Sequence, residues 1–195
     1  MHANACVAVK ITIDYLRLRF RYDSETGKLF WRNATPEHFK LHRTYLAWNK
    51  RFAQKEVGAL LNTGYLYVNI KKNVMLVHRI IFAMVYGYWP KQVDHINHDR
   101  TDNRIKNLRA ADSVSNGQNI SLPSDNTSGR IGVYWFRQRN IWYARIKCGG
   151  KNHHLGYFAD KADAIAAREA AELRFGFHPN HGLVANDNVN LLETA

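Results

Sequence analysis

Residues 93–116 read VDHINHDRTDNRIKNLRAADSVSN, and this stretch decides how the rest of the chain is interpreted. A carboxylate and an imidazole stand side by side at Asp94 and His95, and asparagines follow at Asn107 and Asn116. Carboxylate and amide oxygens are ligands that Mg²⁺ and Mn²⁺ prefer. A histidine can take a proton from water near neutral pH. The pattern therefore indicates a site that holds one hard metal ion and deprotonates one water molecule.

The charge of the chain points to a polyanionic partner. The 195 residues include 28 Lys and Arg against 16 Asp and Glu, which gives a formal net charge of +12. Such an excess is an argument about partners rather than about the fold, and nucleic acid ranks ahead of an anionic membrane. Up to residue 178 the excess is smallest in residues 78–120, so basic segments flank the candidate site and can bind phosphates.

Several classes of protein are disfavoured by simple features of the chain. No apolar run approaches the length of roughly 18–20 residues that a transmembrane helix needs, and the first residues do not resemble a signal peptide. The only cysteines, Cys6 and Cys148, are isolated, which argues against a disulfide framework and a cysteine-bound zinc. Zinc bound by histidines is poorly supported. We expect a cytoplasmic protein.

Hydrophobic periodicity predicts most of the secondary structure. For residues 11–22 a short helix is favoured over a strand, whereas residues 33–56 show no clear period. Turn formers over residues 121–129 predict a linker. The predicted strands are residues 29–31, 64–70, 92–96, 105–109, 131–136, 141–148 and 152–158, and residues 74–77 are either a further strand or the lead into a helix. The predicted helices are residues 78–86, 113–120 and 161–175, the last with Asp160 as its N-cap.

This frame predicts how the motif residues meet. Asp94 and His95 are strand neighbours and would point to opposite faces, so the strand must end or bulge there. Asn107 on the return strand lies close to His95, where its side chain could bond the loop backbone or orient the imidazole. Asn116 on the following helix would face Asp94. Three further residues are weaker candidates: His98 and Asp99 as ligands, and His78 as a packing or phosphate-contacting residue.

The same residues resemble the HNH endonucleases of the phage homing type. The likeness rests on VHRIIF at residues 77–82, VDHIN at residues 93–97 and the asparagines that follow. It implies a ββα-metal fold in which Asp94 and Asn116 bind the metal, His95 is the general base, and Asn107 pins the loop and orients His95. It also implies products with a 5′-phosphate and a 3′-hydroxyl. The family often has Glu-Asn or a histidine at the last position, where this chain has Ser115-Asn116.

Residues 130–158 combine basic and aromatic side chains and contain no acid. On the strand 141–148, one face carries Ile141, Tyr143, Arg145 and Lys147, and the other carries Trp142, Ala144 and Ile146. The second set suits packing against the alanine-rich helix, with Trp142 more a core residue than a contact. The first set is a cationic face that can lie in a DNA major groove.

This segment resembles the AP2 DNA-binding domain. The matching stretches are GVYW at residues 132–135, WYARI at residues 142–146, LGYF at residues 155–158 and the helix with paired alanines. The plant members have arginine where this chain has Tyr134, so their base preference is not carried over. The resemblance implies DNA contacts from the exposed sheet face, by Arg137, Arg139, Tyr143, Arg145, Lys147 and Lys151.

These observations combine into one prediction. The fold class is α+β, with a ββα-metal HNH nuclease module followed by an AP2-like three-stranded antiparallel sheet packed on one helix. The predicted parts are a basic N-terminal region (1–73), the nuclease module (74–120), a linker (121–129), the DNA-binding domain (130–178) and a flexible tail (179–195).

The predicted function is a DNA endonuclease of homing or mobile-element type, phage-encoded. It would nick or cut double-stranded DNA with one Mg²⁺ or Mn²⁺ ion per site, without structural zinc, a membrane or a small-molecule substrate, and as a monomer in the bacterial cytoplasm. Two alternatives stay open. One is a DNA-binding regulator with a decayed nuclease site, and the other is an RNA-binding or RNA-cleaving protein, for which no RNP-like signature is found.

Overall fold

The structure, a computed structural model, describes residues 11–112 and 117–183. Over these residues the protein is a mixed α+β chain, and none of its helices is long and apolar enough to cross a bilayer. The helices are Ile13–Arg19 (α1), His42–Phe52 (α2), Val77–Tyr86 (α3) and Lys161–Arg174 (α4). The strands are Phe20–Asp23 (β1), Lys28–Trp31 (β2), Ala59–Leu60 (β3), Leu66–Ile70 (β4), Asn73–Leu76 (β5), Gln92–His95 (β6), Leu108–Ala111 (β7), Val133–Phe136 (β8), Ile141–Cys148 (β9) and Lys151–Phe158 (β10).

The contacts divide the chain into two compact units. The first contains residues 1–93 and 100–108, and the second contains residues 94–99 and 109–195. The boundary passes within β6 and β7, which form a two-stranded sheet. The division into nuclease module, linker and DNA-binding domain stays a prediction.

The first unit opens with a short helix that leads directly into a hairpin. The Thr12 hydroxyl accepts a hydrogen bond from the Tyr15 amide at 3.1 Å and caps α1. Leu16 of α1, Phe20 of β1 and Leu29 of β2 are all buried in one hydrophobic core. The favoured helix in residues 11–22 is therefore present, but it ends at Arg19, because Phe20 begins the strand that pairs with β2.

A second sheet of the first unit, in the order β3-β4-β5, packs against α3. The predicted helix is confirmed, and Gly87 ends it in the left-handed conformation, with φ of 77°. Its apolar residues Ile80 and Ile81 are fully buried. His78 is also buried, with its ring 5.0 Å from that of Tyr65. The His78 ring thus packs against Tyr65, and packing is one of the two roles expected for this residue.

Helix α2 lies in the segment for which no periodicity was found. It buries no residue completely, and its inward stripe consists of Tyr45, Trp48, Asn49 and Phe52. These positions have helical spacing, but the stripe includes a polar asparagine and three aromatic residues that also favour strands. The pattern was therefore present in the sequence and was missed because it is not purely apolar.

The return strand of the candidate site starts later than predicted. Residues Ile105–Asn107 form a short 3-10 helix, and β7 runs from Leu108 to Ala111. Asn107 therefore lies at the end of the 3-10 turn and not on a strand. The 3-10 helix is held at its first residue, because the Tyr22 hydroxyl accepts a hydrogen bond from the Ile105 amide at 2.8 Å. This contact with a distant residue is not coded by local periodicity.

The second unit contains a three-stranded antiparallel sheet in the order β10-β9-β8, with α4 against it. Asp160 caps α4 as predicted, since its carboxylate accepts from the Ala162 amide at 2.7 Å. Ala144 and Ile146 of β9 are fully buried, whereas Arg145 and Lys147 are exposed. The predicted alternation of the two faces is confirmed, and Trp142 packs on the core of the helix side.

A buried network of charges holds α4 and the chain after it. Glu172 forms ion pairs with Arg130 and Arg168, and Arg168 lies 3.1 Å from the ring nitrogen Nε2 of His181. Burial, followed by the charges of Arg168 and Arg130, lowers the pKa of His181 to about 4. The ring is therefore neutral at pH 7 and can accept a hydrogen bond from Arg168. Asn180 and His181 are buried, although they lie in the segment 179–195 that was predicted to be a flexible tail.

Candidate active site

The candidate site is built where β6 ends. Asp94 is partly buried and His95 is buried, with 3% of its surface exposed. The strand stops at His95, as the adjacency of the two side chains required. The chain then turns, since the His98 amide donates to the His95 carbonyl at 3.1 Å, and His98 has a φ of 64°. The turn therefore begins directly after the strand that carries Asp94 and His95.

Asp94 is held by two donors that the sequence analysis did not assign. Arg109 on β7 contacts its Oδ2 atom through Nε at 3.1 Å and through Nη2 at 2.9 Å. The Asn119 amide donates to the same oxygen at 2.9 Å. Only 12% of the Asp94 side chain is exposed, so these charge-assisted bonds act in a partly dry environment. The carboxylate is therefore fixed in orientation before any ligand binds.

Asn119 contacts several groups of the candidate site. It is buried, and besides Asp94 its amide lies within 3.3 Å of the His95 carbonyl and 3.4 Å of the Ile96 carbonyl. Its oxygen lies 2.9 Å from Nε2 of His98. One signal in the sequence could have found it, because Asn119 stands three positions after Asn116 in the predicted helix 113–120, on the same helical face.

The chain after α4 also reaches this loop. The Asn180 amide donates to the Ile96 carbonyl at 2.8 Å, so two asparagines from distant segments bind consecutive loop carbonyls. Burial, followed by the positive charges of Arg109 and His98, lowers the pKa of His178, and Asp94 opposes this. The charges of Arg109, His98 and Asp94 therefore act on the His178 ring. No local pattern in residues 175–183 predicted this.

The remaining predicted site residues are placed as follows. Asn107 is fully buried, and its amide donates to the Asp102 carbonyl at 2.8 Å. This is the loop-bonding role predicted for it, while its effect on His95 stays a prediction. Asn116 lies outside the described residues, as do residues 113–116, the first half of the predicted helix 113–120; of its second half, residues 118–120 are not helical. Asp99 donates its amide to the Asn97 side chain at 2.9 Å.

A metal centre made of acidic and thiol or imidazole groups is not found in the described part of the chain. Within residues 11–112 and 117–183, no group of three or more His, Cys, Asp or Glu side chains is arranged so that it could hold a metal ion.

The exposed face of the C-terminal sheet carries the predicted DNA contacts. Tyr134, Tyr143 and Tyr157 lie in register across β8, β9 and β10, with ring centroids 6.2 Å and 5.6 Å apart. The Arg145 guanidinium lies over Tyr134 at 5.1 Å. The predicted contact residues are all at the surface, fully or in part: Arg137 and Arg139 in the turn after β8, Tyr143, Arg145 and Lys147 on β9, and Lys151 at the start of β10.

Asn119→Ala is expected to destabilise the protein by about 2–3 kcal/mol, because it leaves several buried polar groups without their partner. Urea unfolding followed by circular dichroism measures this loss. Gln118→Ala is the matched control, since Gln118 is less buried and its amide donates to one carbonyl, that of Phe175, at 3.2 Å. Equal losses for the two variants would show that Asn119 does not hold the loop.

Comparisons with known proteins match the part of the chain that forms this site. Residues 75–118 match the family model of the HNH endonuclease. Protein 3.8 of Escherichia phage T7 is 34% identical over 69 residues, which cover 35% of this chain and 54% of that protein. The chain thus spans about half the length of this curated relative. No solved structure matches the chain significantly. The similarity to the HNH endonuclease family model therefore covers Asp94, His95 and Asn107.

Proposed function

We propose that this protein is a metal-dependent endonuclease that hydrolyses phosphodiester bonds in double-stranded DNA. The observation that supports this best is the fixed carboxylate of Asp94 beside His95, inside the segment that matches the HNH endonucleases. A net charge of +12 supports a polyanionic substrate.

The residues present fit one hard divalent ion. Asp94 offers a carboxylate whose described hydrogen bonds all go to Oδ2, which orients the group towards a ligand. No cysteine lies among these residues, so the donor set favours Mg²⁺ or Mn²⁺ over zinc. Asp94 and Asn116 would hold the ion. When bound, it would stabilise the negative charge that develops on the phosphate and on the leaving oxygen.

His95 is the proposed general base. It takes a proton from the attacking water, for which a histidine is suited near neutral pH. Asn107 holds the loop through the Asp102 carbonyl, and we propose that it also orients His95. Asn119 and Arg109 are positioning residues, since they contact Asp94 rather than the reacting groups.

The C-terminal sheet is proposed as an AP2-like reader of DNA. Three strands against one helix, with the cationic and aromatic residues on the opposite face, support this. Arginine and lysine on such a face can contact phosphates and base edges in the major groove. The residues proposed to contact DNA are Arg137, Arg139, Tyr143, Arg145, Lys147 and Lys151.

The biological role we propose is that of a homing or mobile-element nuclease that acts as a monomer in the cytoplasm of a bacterial cell. The similarity to a protein of Escherichia phage T7 supports a phage setting.

The test is the conversion of supercoiled plasmid DNA at low salt, with Mg²⁺, with Mn²⁺ and with EDTA. We expect open-circular or linear DNA with either metal and intact plasmid with EDTA, because the reaction needs the bound ion. Phage and bacterial DNAs are tested in parallel to supply target sites. Gel-shift binding that resists EDTA, with no cutting of any DNA, would contradict the nuclease and favour the regulator with a decayed site.

A further inference from the structure

We propose that the outward face of α2 is a second DNA-binding surface, which contacts the phosphate backbone of duplex DNA. This surface consists of Arg43, Ala47, Lys50 and Arg51. It lies in the first compact unit, whereas Asp94, His95 and the C-terminal sheet belong to the second. The inference rests on the proposed function only in taking duplex DNA as the partner.

The inward side of α2 is anchored by aromatic packing and one polar clamp. Trp48 lies 5.4 Å from both Trp31 and Phe52, measured between ring centroids. The Asn49 side chain accepts from the Ala34 amide at 2.9 Å and donates to the Ala34 carbonyl at 3.2 Å. These contacts hold the helix in one orientation, with Arg43, Lys50 and Arg51 on the side that faces solvent.

The outward side is cationic and is not neutralised by the protein. Arg43, Ala47, Lys50 and Arg51 fall within about one third of the helix circumference, given a rotation of roughly 100° per residue, and all four are exposed. Residues 38–55 contain five Lys and Arg and no Asp or Glu. Among the described residues, no carboxylate forms an ion pair with any of these five cations.

Several basic residues elsewhere in the fold are, in contrast, paired with carboxylates of the protein. Arg130 and Arg168 are neutralised by Glu172, and Lys28 pairs with Glu56 at 2.8 Å. Like charges gathered on one helix face repel one another and destabilise the fold. A face that keeps them without an internal partner is complementary to an anion outside the protein.

The composition of the α2 surface favours the phosphates of duplex DNA over a membrane or a single strand. An interfacial membrane helix needs a broad apolar face to insert into lipid, but the aromatic residues of α2 are already packed against Trp31 and Phe39. Binding to single strands relies on exposed aromatic rings that stack on bases, and Tyr45, Trp48 and Phe52 are partly buried on the inward side. The free cations span about 12 Å along the helix, a length that faces several phosphates of duplex DNA.

The experiment measures binding without cleavage. A fluorescently labelled duplex is titrated in EDTA, and the dissociation constant is followed by anisotropy from about 50 to 200 mM salt, a range over which phosphate contacts weaken strongly. The test variant is the triple substitution Arg43→Gln, Lys50→Gln and Arg51→Gln. The matched control removes three exposed cations elsewhere, through Arg21→Gln, Lys72→Gln and Arg174→Gln. Circular dichroism compares the folding of all three proteins.

We expect the α2 variant to lower the slope of log K against log salt by about 2–3, because each lost phosphate contact removes about 0.9. The control should change it by less than about 1. Equal losses in the two variants would assign the effect to net charge and overturn the inference, as would an unchanged α2 variant. A larger effect on a single-stranded oligonucleotide or on anionic vesicles than on the duplex would also overturn it.

Plasmid cleavage and duplex binding together distinguish failure of the proposed nuclease function from failure of the α2 surface. If the wild-type protein cuts no plasmid but the α2 variant alone loses salt-dependent binding, the nuclease proposal fails and the α2 surface stands. If the wild-type protein cuts plasmid and the α2 variant binds DNA as tightly as the wild-type protein, the nuclease proposal stands and the α2 surface fails.

Discussion

His95→Ala is expected to reduce metal-dependent plasmid cleavage by about 10²–10⁴-fold, the range that a general base contributes. The variant keeps Asp94, Arg109 and Asn119, so the carboxylate stays oriented while the proton acceptor is lost. Initial rates of conversion from supercoiled to open-circular DNA measure the effect, with Mg²⁺ present and with EDTA as the blank.

Because His95 is buried, its replacement also removes packing, and the folding of the variant has to be checked. His95→Gln, which keeps more of the side-chain volume, is measured beside it, together with circular dichroism and duplex binding. His38→Ala is the control for loss of a histidine, since His38 is exposed. If a folded His95 variant cleaves at more than half the wild-type rate, His95 is not the base.

Gly132→Ala is expected to destabilise the protein by about 3 kcal/mol or more, since it combines a strained backbone with a steric clash. Gly132 has a φ of +82°, and a Cβ atom built there would lie 2.4 Å from the Arg145 carbonyl oxygen. It would also lie 2.7 Å from Nη1 of Arg168, the atom that donates to that carbonyl at 2.6 Å. The methyl group would therefore displace a partly buried hydrogen bond of the charge network around Glu172.

Gly129→Ala separates the two contributions. Gly129 has nearly the same φ, +81°, but a Cβ atom there meets nothing within 4 Å. Its replacement is expected to cost only the conformational part, about 1 kcal/mol. Urea unfolding of both variants gives the difference. A Gly132→Ala loss no larger than that of Gly129→Ala would mean that the backbone moves aside without cost and that the close approach to Arg145 is unimportant.

Elements whose structure depends on neighbouring residues were predicted well from the sequence, whereas elements that depend on distant contacts were not. The strands of the C-terminal sheet and helix α4 lie within two residues of their predicted bounds, because their alternation, turns and N-cap are coded by neighbouring residues. Helix α2 was missed because its inward stripe contains Asn49, which bonds a distant loop. The bounds of β7 shifted because Tyr22 holds the turn before it.

The candidate site shows the same division. The end of β6 at His95 was predicted from the adjacency of Asp94 and His95, and Asn107 bonds the loop as expected. Arg109, Asn119 and Asn180 were not predicted, since their partners lie at least 15 positions away in the sequence. Hydrogen bonds of this kind depend on where separate segments meet.

The sequence by itself therefore determined the chemistry that is available: a carboxylate next to an imidazole at the end of a strand, a basic chain, and a sheet with one apolar and one cationic face. These features follow from residue type and from periods of two and of about 3.6 residues. The tertiary structure alone decided which donors fix Asp94, which cations Glu172 neutralises and which on α2 stay free. That outcome depends on contacts between residues far apart in the chain, whose geometry no local pattern encodes.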